Sequence, residues 1–501
     1  MELFSNLILG FQVALSFQNV LYCFAGVLLG TLIGVLPGIG PVTTIAMLLP
    51  LTFTLPPISA LIMLAGIYYG AQYGGSTTAI LVNIPGEASA VVTCLDGYQM
   101  ARQGRAGPAL GIAAIGSFFA GTVATLVIAL AAPPLAEVAL KFGPAEYFSL
   151  MAAGLILAVV LARGSVIKAI CMVLLGLLLG LVGTDVNSGT QRFAFSISEL
   201  SDGIGFVAVA LGMFGYTEVI RNVELKEHRE SFTKKVGSLL PSYEDLKVCA
   251  IPILRCTILG SALGILPGGG ALLSSFAAYT IEKKLAKDSD TFGFGNIKGV
   301  AGPESANNAG AQTSFIPLLT LGIPSNAIMA MMIGAMMIQG IAPGPQIMTE
   351  RPQLFWGMIA SMWVGNLMLV ILNLPLIGMW IKLLEVPYRM LYPAILLFCA
   401  IGVFSLQNSP FDVMQTTLFG VFGYVCLKLE AEPAPLMLGF ILGPLMEENL
   451  RRAMLLSRGD ALVFFQRPIS AGFLIVAIGA LIIMALPAIR TKREEAFAGE
   501  D

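Results

Sequence analysis

Four short segments rich in glycine and proline carry the chemistry that this sequence offers. Two of them share one pattern, GTLIGVLPGIGPVTT at residues 30–44 and GSALGILPGGGALLSS at residues 260–275. Proline removes a backbone donor and glycine permits left-handed backbone, so each pattern predicts a break inside an apolar helix. The half-helix after such a break presents unpaired N–H groups at the positive end of its dipole, which suits an anion. Two such breaks at corresponding positions of two halves are typical of the binding site of a secondary transporter.

A second pair of breaks follows the first pair along the chain. NIPGEA at residues 83–88 follows GAQ at residues 70–72, and GIPSNA at residues 322–327 follows GAQ at residues 310–312. In the last of these segments, Ser325 is predicted to be the N-cap of the next half-helix. The carbonyl groups that each break frees suit a hard cation such as Na⁺. The sequence therefore predicts four tips, two from each half, that enclose an anion and one or more cations near the membrane midplane.

The predicted site combines these tips with the unusually polar segment 302–314, because polar side chains at membrane depth usually face a cavity. The predicted substrate-binding residues are Pro37, Gly38, Gly40, Thr43, Thr44, Asn83, Pro85, Gly86, Gly268, Gly269, Gly270, Ser274, Asn307, Asn308, Pro324, Ser325 and Asn326. The predicted Na⁺ ligands are the backbone carbonyls of Gly34, Gly264 and Gly322, with the carboxylate of Glu304. No Lys or Arg lies in any tip, so bound Na⁺ is expected to offset the substrate's charge and to raise its affinity. No catalytic residue and no cofactor besides this coupling ion is predicted.

Two acidic residues have a structural interpretation beside the functional one. Glu304 is a candidate cation ligand or proton carrier, and equally a loop residue near Lys298. Glu87 is a similar candidate, or else an acid that complements the dipole of the helix it precedes. The residues alone leave both alternatives open.

The composition is that of a polytopic membrane protein. Of 501 residues, 56% are hydrophobic and 12% are charged, whereas soluble proteins carry about 25% charged residues. Apolar runs long enough to span a bilayer recur, for example at residues 469–488. The single histidine, His228, and the seven scattered cysteines argue against a histidine metal site, and no CxxC motif occurs. No basic patch suggests nucleic acid, and no removable signal peptide is predicted.

The placement of Lys and Arg predicts the topology, because loops rich in these residues stay in the cytoplasm. The first 101 residues contain neither, so a hairpin at residues 18–54 has both ends outside. A second hairpin at residues 250–282 is flanked by Lys and Arg and has both ends in the cytoplasm. The predicted fold class is an all-α polytopic membrane protein with an inverted-topology repeat, two re-entrant hairpins, broken helices at 58–98 and 303–342, and about eleven spanning segments.

This topology divides the chain into four parts. They are a first transmembrane repeat at residues 1–220, a cytoplasmic linker at 221–247, a second, inverted repeat at 248–447, and an extra C-terminal helix with a cytoplasmic tail at 448–501. The N-terminus is predicted to be periplasmic and the C-terminus cytoplasmic.

Residues 448–468 agree least with this topology, because their arginines would lie outside. Glu447 and Glu448 are predicted to pair with Arg451 and Arg452 at helical spacing. The alternative is that the stretch forms an interfacial helix.

Long, particular stretches of the chain resemble a known family. They are GTLIGVLPGIGP (30–41), YYGAQYGGSTTAILVNIPGE (68–87), LGILPGGGA (263–271), GVAGPESANNAGAQTSFIPLLTLGIPSNA (299–327) and QGIAPGPQ (339–346). In these stretches the chain resembles the large membrane subunit of the tripartite tricarboxylate transporters, the TctA family. The resemblance covers nearly the whole chain.

The resemblance implies a multi-pass protein of the bacterial inner membrane that works with two partners. These are a small membrane subunit of about four helices and a periplasmic solute-binding protein. It further implies citrate-like carboxylate substrates, uptake driven by an ion gradient, usually Na⁺, and no enzymatic activity. An elevator-like movement is compatible with an inverted repeat of this kind.

Other functions stay open at the level of the sequence. A carboxylate transporter coupled to H⁺ is one alternative, and an anion channel, which would need a continuous polar path, is another. An intramembrane enzyme would need an acid–base pair, a nucleophile or metal ligands, and the single loop histidine argues against it.

Overall fold

Helices make up almost all regular structure of the computed structural model, which describes residues 2–36, 40–83, 85–162, 165–185, 188–224, 237–267, 270–384 and 388–485. The exception within these ranges is a two-stranded antiparallel ribbon, in which Gly183 pairs with Arg192 and Thr184 with Gln191. The all-α class predicted from the sequence is therefore confirmed.

In its described residues, the first half of the chain contains ten α-helices. Their bounds are α1 Glu2–Ala14, α2 Phe17–Gly34, α3 Pro41–Thr52, α4 Pro57–Val82, α5 Val91–Arg102, α6 Ala106–Ala139, α7 Pro144–Leu161, α8 Val166–Gly180, α9 Phe206–Ala210 and α10 Thr217–Glu224. A 3₁₀ turn at Ala88–Ala90 precedes α5, and a π-helical turn at Leu211–Tyr216 joins α9 to α10. The ribbon strands are β1 Gly183–Thr184 and β2 Gln191–Arg192.

The second half repeats the start of this order. Its helices are α11 Tyr243–Gly264, α12 Gly270–Leu285, α13 Lys298–Thr313, α14 Phe315–Leu321, α15 Ala327–Ile338, α16 Gln346–Glu350, α17 Pro352–Asn373, α18 Ile377–Leu384, α19 Tyr388–Gln407, α20 Pro410–Lys428, α21 Pro433–Leu456, α22 Val463–Gln466 and α23 Pro468–Ala485. Among the described residues, the breaks expected inside 58–98 and 303–342 lie at residues 83 and 85–87 and at residues 322–326.

Six helical segments of the described chain are long and apolar enough to cross a membrane. They are Phe17–Gly34, Ala106–Ala139, Pro144–Leu161, Phe206–Glu224, Tyr243–Gly264 and Pro352–Asn373. Shorter apolar helices, such as Pro41–Thr52 and Ala327–Ile338, accompany them. A multi-pass membrane protein is therefore supported, while the total of about eleven crossings stays a prediction.

Small residues hold the first helix of each predicted hairpin, α2 and α11, against a neighbouring helix of the same half. A Cβ added to Gly30 of α2 would lie 2.3 Å from the carbonyl oxygen of Ile67 in α4. In the second half, a Cβ on Gly260 of α11 would lie 2.3 Å from the carbonyl oxygen of Ala306 in α13. Contacts of this kind require that the two backbones touch, which small residues permit between membrane helices. The two halves thus share one mode of helix packing.

The C-terminal ends of the short helices α3, α5 and α15 lie at two different places. At the end of α15, Gln339 Nε2 donates to the carbonyl of Thr52, the last residue of α3, at 2.8 Å. Beyond the end of α5, Gln103 Nε2 donates to Phe294 O at 2.8 Å, in the segment between α12 and α13. Arg105 also pairs with Asp245, near the start of α11, at 2.7 Å. The ends of α3 and α15 therefore lie together, and the end of α5 lies beside the outer ends of α11 and α12.

The arginines near residue 450 are paired as the sequence predicts. Arg451 Nη2 lies 2.6 Å from Glu447 Oε1, and Arg452 pairs with Glu448, both at a spacing of four residues. Residues 448–456 form the last turns of α21, which continues to Leu456, and their placement outside the membrane or at its interface stays a prediction. Arg451 also lies 3.0 Å from Asp185, beside the ribbon.

Candidate functional site

One large cavity, of about 850 Å³, is lined by the start of four short helical segments. The first half contributes Gly40–Thr43 at the start of α3 and Glu87–Ser89 before α5. The second half contributes Gly270–Leu272 at the start of α12 and Asn326–Ile328 at the start of α15. The four predicted tips therefore meet at one cavity, and helix starts of this kind present unpaired backbone N–H groups.

The two tips of the first half lie against each other through glycine. A Cβ on Gly40 would lie 3.5 Å from Gly86 O, within ordinary contact distance. Gly86 in turn packs so tightly on Gly75 that its own added Cβ would lie 2.3 Å from the Cα of Gly75. Gly86 is therefore required for the backbone of this tip to fold back onto α4.

The two tips of the second half are joined by an asparagine. Asn326 Oδ1 accepts from the N–H of Met329 at 2.9 Å, which makes Asn326 the N-cap of α15. Its Nδ2 donates to Ser314 Oγ at 3.2 Å, and the same nitrogen would lie 2.9 Å from a Cβ on Gly270. Gly270 has φ +52°, a left-handed conformation. The prediction that Ser325 caps this helix is wrong, because the fully buried Ser325 hydroxyl donates backward to Ser314 O at 3.4 Å.

A row of polar side chains crosses from one half to the other behind the cavity. Gln72 Nε2 in α4 donates to Asn307 Oδ1 in α13 at 3.0 Å, and Asn307 Nδ2 donates to Glu87 Oε1 at 3.1 Å. Ser275 Oγ in α12 donates to Ser89 O at 2.9 Å. The tip that carries Glu87 is therefore held by side chains of the other half.

Four of the predicted substrate-binding residues line the cavity, and several others support them. The lining residues are Gly40, Thr43, Gly270 and Asn326. The buried residues directly behind the tips are Thr44, Gly86, Ser274, Pro324 and Ser325. Thr44 and Ser274 each return their hydroxyl to the carbonyl four residues earlier, so their side chains stabilise the helix starts. Pro85 is half-buried in the first-half tip.

Two predicted residues lie away from the cavity lining. Asn308 Nδ2 donates to Ser117 Oγ in α6 at 2.7 Å, because consecutive helix residues point about 100° apart and Asn307 takes the inner direction. Asn83 is exposed at the C-terminal end of α4, with φ +58°. Pro37, Gly38, Gly268 and Gly269 lie outside the described residues.

The predicted Na⁺ ligands lie outside the large cavity's lining. The carbonyl of Gly34 faces Gly86, and that of Gly264 accepts from Ser314 Oγ at 3.2 Å. Gly322 ends α14 with φ +72°, beside Pro343. Within the described chain, no group of three or more His, Cys, Asp or Glu side chains could hold a metal ion. The carbonyls therefore remain a prediction for the coupling ion.

Glu304 is buried inside α13, so its interpretation as a loop residue is wrong. It is 1% exposed, and its carboxylate accepts from Ser76 Oγ at 2.8 Å and from the hydroxyl of Thr93. Lys298 pairs instead with Asp288 at 2.6 Å. Glu304 lines a small cavity of about 20 Å³, which has room for roughly one water-sized particle.

Several lining residues were not predicted from the sequence. Tyr68, on α4, lines the cavity with its side chain 0% exposed. Glu218 and Arg221 line it from α10, 3.7 Å apart, and Glu430 lies at the same end. The sequence placed Arg221 at the start of a linker, but α10 continues to Glu224. Because the Arg221 and Glu430 side chains are 49% and 84% exposed, the cavity opens at this end.

Comparison with known proteins identifies relatives along most of the chain. A family model described as "Tripartite tricarboxylate transporter TctA family" matches residues 20–438. A protein of Agrobacterium vitis described as "Uncharacterized 52.8 kDa protein in TAR-I ttuC' 3'region" is 60% identical over 501 residues, the full length of both chains. Another, described as "Uncharacterized protein in TAR-II ttuC' 3'region", is 60% identical over 242 residues, which cover 48% of this chain and all of the relative. No solved structure matches.

Proposed function

The chain belongs to the TctA family of tripartite tricarboxylate transporters, and we propose that it is the large membrane subunit of a secondary transporter that imports citrate-like carboxylates with Na⁺. The observation that carries this proposal is the meeting of four helical tips at one cavity of about 850 Å³. Backbone N–H groups at helix starts bind carboxylates without a fixed positive charge. The volume is in the range of small-molecule sites, about 300–1,000 Å³.

The charges around the cavity support a cation-coupled mechanism. Arg221 is the one positively charged side chain among the described lining residues, and it lies at the open end beside Glu218. The tips themselves offer only N–H groups, hydroxyls and amides to an anion. A cation that enters with the substrate would therefore offset the substrate's charge, and the freed carbonyls of the breaks are candidate ligands for it.

The placement of the helix ends supports an inverted repeat with re-entrant hairpins. The contact between Gln339 and Thr52 joins the ends of α15 and α3, while Gln103 and Arg105 join the end of α5 to the outer ends of the second hairpin. Helices from opposite directions would then meet at the cavity. In such a protein, an elevator-like displacement of the hairpins would carry the site across the membrane.

The open end of the cavity supports an inward-facing state. Arg221 lies there, and Lys168 pairs with Glu430 at 3.3 Å close by. Loops rich in Lys and Arg are cytoplasmic, so this end would face the cytoplasm of a bacterial inner membrane. The N-terminus would then be periplasmic and the C-terminus cytoplasmic.

The partners follow from the family rather than from the geometry. A tripartite transporter has two further components, and we propose a small four-helix membrane subunit and a periplasmic solute-binding protein that delivers the carboxylate. Coupling to H⁺ and an anion channel are the alternatives. The tips contact one another in each half, which favours a binding site that opens at one end over a polar path that is continuous across the membrane.

Uptake into proteoliposomes tests this function. The chain, its small partner and the binding protein would be reconstituted together, and labelled citrate would be supplied with an inward gradient of Na⁺ or of K⁺. Accumulation with Na⁺ alone is the expected result. Equal uptake in both gradients that follows an imposed pH gradient would support H⁺ coupling, and currents of single channels would support a channel.

A further inference from the structure

Glu87 places a carboxylate among the four tips that are proposed to hold an anion. It lies in the cavity lining directly before the 3₁₀ turn, with extended backbone at φ −144° and ψ 164°. Its Oε1 accepts from Asn307 Nδ2 at 3.1 Å and from the hydroxyl of Ser89. In the described part of the chain it has no positively charged partner, and Arg221, the one positive residue of the described lining, pairs with Glu218. A carboxylate at membrane depth without such a partner marks a functional site.

Tyr68 provides a second, independent observation at the same cavity. Its side chain is 0% exposed and lines the cavity, yet its hydroxyl has no hydrogen-bond partner among the described residues. Buried hydroxyls are nearly always satisfied, and one that is not calls for a ligand or an ordered water. The hydroxyl oxygen of tyrosine can accept a hydrogen bond or bind a cation.

A substrate carboxylate and Glu87 would repel each other if both were charged in this cavity. Desolvation makes this repulsion stronger than in water. A cation between the two carboxylates removes the repulsion, and hard cations prefer carboxylate, carbonyl and hydroxyl oxygens. The dipoles of the neighbouring helix starts favour anions, so the cation requires a full negative charge from the protein to stay there.

We propose that Glu87, with the hydroxyl of Tyr68, binds a Na⁺ ion that lies between the protein and the substrate carboxylate. This inference rests on the proposed function, and it gives the role of the coupling-ion ligand to a residue for which the sequence left a purely structural interpretation open. Because the two ligands then share one site, each raises the affinity of the other by the same factor, about 5- to 150-fold for typical coupling.

The first test measures Na⁺ alone, which makes it independent of the substrate. Binding of radioactive Na⁺ to the purified full chain would be compared with that of Glu87→Gln, which removes the charge and keeps the shape. Saturable binding is expected in the unmodified chain and at least about tenfold weaker binding in Glu87→Gln. Glu137→Gln is the matched control, because it makes the same change at an exposed position of α6, and it should bind Na⁺ normally.

Tyr68→Phe provides a second variant if Glu87→Gln does not fold. It removes only the hydroxyl oxygen and is expected to weaken Na⁺ binding several-fold with an unchanged elution profile. Wild-type Na⁺ affinity in Glu87→Gln or in Tyr68→Phe would overturn the proposal. Loss of Na⁺ binding in Glu304→Gln with full binding in Glu87→Gln would overturn it as well, and would place the ion at the small cavity.

The second test measures citrate binding with Na⁺ and with K⁺ at equal ionic strength. The unmodified chain should bind citrate more tightly in Na⁺, whereas Glu87→Gln should bind it equally in both salts. If Glu87→Gln keeps the Na⁺ dependence, the transporter function stands and this inference fails. The function also stands and the inference also fails if Glu87→Gln weakens the binding only of carboxylates that carry a hydroxyl group, because Glu87 would then recognise that hydroxyl. If Na⁺ binding requires Glu87 but citrate never binds, the inference stands and the proposed substrate fails.

Discussion

The tips of the two halves share a glycine framework but differ in the side chains that finish them. In the second half, Asn326 satisfies the start of α15 and also contacts the tip of α12 through Gly270. In the first half, the corresponding position before α5 carries Glu87, which is held by Asn307 from the other half. One half therefore presents a neutral amide to the cavity and the other presents a carboxylate. The repeat supplies the same backbone twice, while single residues determine which charge each half favours.

The shared framework can be broken in either half by the smallest side chain. Gly30→Ala and Gly260→Ala each direct a Cβ to within 2.3 Å of a backbone oxygen that cannot rotate away. We expect each variant to lose about 1–3 kcal/mol of stability by overpacking, which would be measured as a lower unfolding temperature in detergent. Gly154→Ala is the control, because no atom lies within 4 Å of its added Cβ. A lower unfolding temperature for only one of these two variants would contradict the equivalence of the two packing modes.

A comparison of Gly40, before α3, with Gly270, the first residue of α12, tests whether the two halves differ in their need for glycine. Gly270→Ala introduces a left-handed residue at φ +52° with a contact of 2.9 Å to Asn326, and should cost about 1–2 kcal/mol. Gly40→Ala has ordinary backbone, φ −75°, and its nearest new contact is at 3.5 Å, so its stability should hardly change. The unfolding temperatures of the two variants test whether Gly270→Ala is the less stable one. A larger loss of stability in Gly40→Ala would contradict this prediction.

A substitution of Asn326 separates its role in the helix start from its role in the cavity. Asn326→Ala removes the cap and should cost about 1 kcal/mol. Asn326→Asp keeps the acceptor for Met329 but adds a negative charge to the tip, so stability should be largely retained while citrate binding weakens. Parallel unfolding and binding curves measure both effects. Unchanged citrate affinity in Asn326→Asp would show that this tip does not face the substrate.

The weakest expected effect concerns the contact between the halves. Ser275→Ala removes the hydrogen bond to Ser89 O, together with a local one to Leu272 O, and should cost about 0.5–1 kcal/mol. Thr280→Ala is the control, since its hydroxyl bonds within α12 to Phe276 O at an exposed position. Equal losses in both variants would indicate that the contact between the halves adds nothing beyond local helix stability.

Local patterns in the sequence predicted the breaks and the charge pairs, because both depend on neighbouring residues. Glycine and proline interrupt a helix wherever they occur, and the pairs of Arg451 and Arg452 follow from a spacing of four residues. The direction in which a side chain points in the folded protein is harder to predict from the sequence. Asn307 and Asn308 are chemically identical, and only the packing of α13 against α4 and α6 decides which one points toward the tips.

The same limit applies to caps and to helix ends. Ser325 and Asn326 are both good capping residues, and the extended backbone of Asn326 selects it. The sequence predicts a linker at Arg221 because its charge is typical of a loop, whereas α10 extends beyond this residue and brings it to the cavity.

The glycine contacts between α2 and α4 have a mechanical consequence. Because Gly30 and Gly34 bring the two backbones into direct contact with Ile67 and Ala71, no layer of side chains remains between the helices that could repack. Close-packed surfaces of this kind move as rigid bodies rather than deform. Any change of access to the cavity would then have to move α2 and α4 together as one block, and the movement would be taken up at contacts between side chains elsewhere.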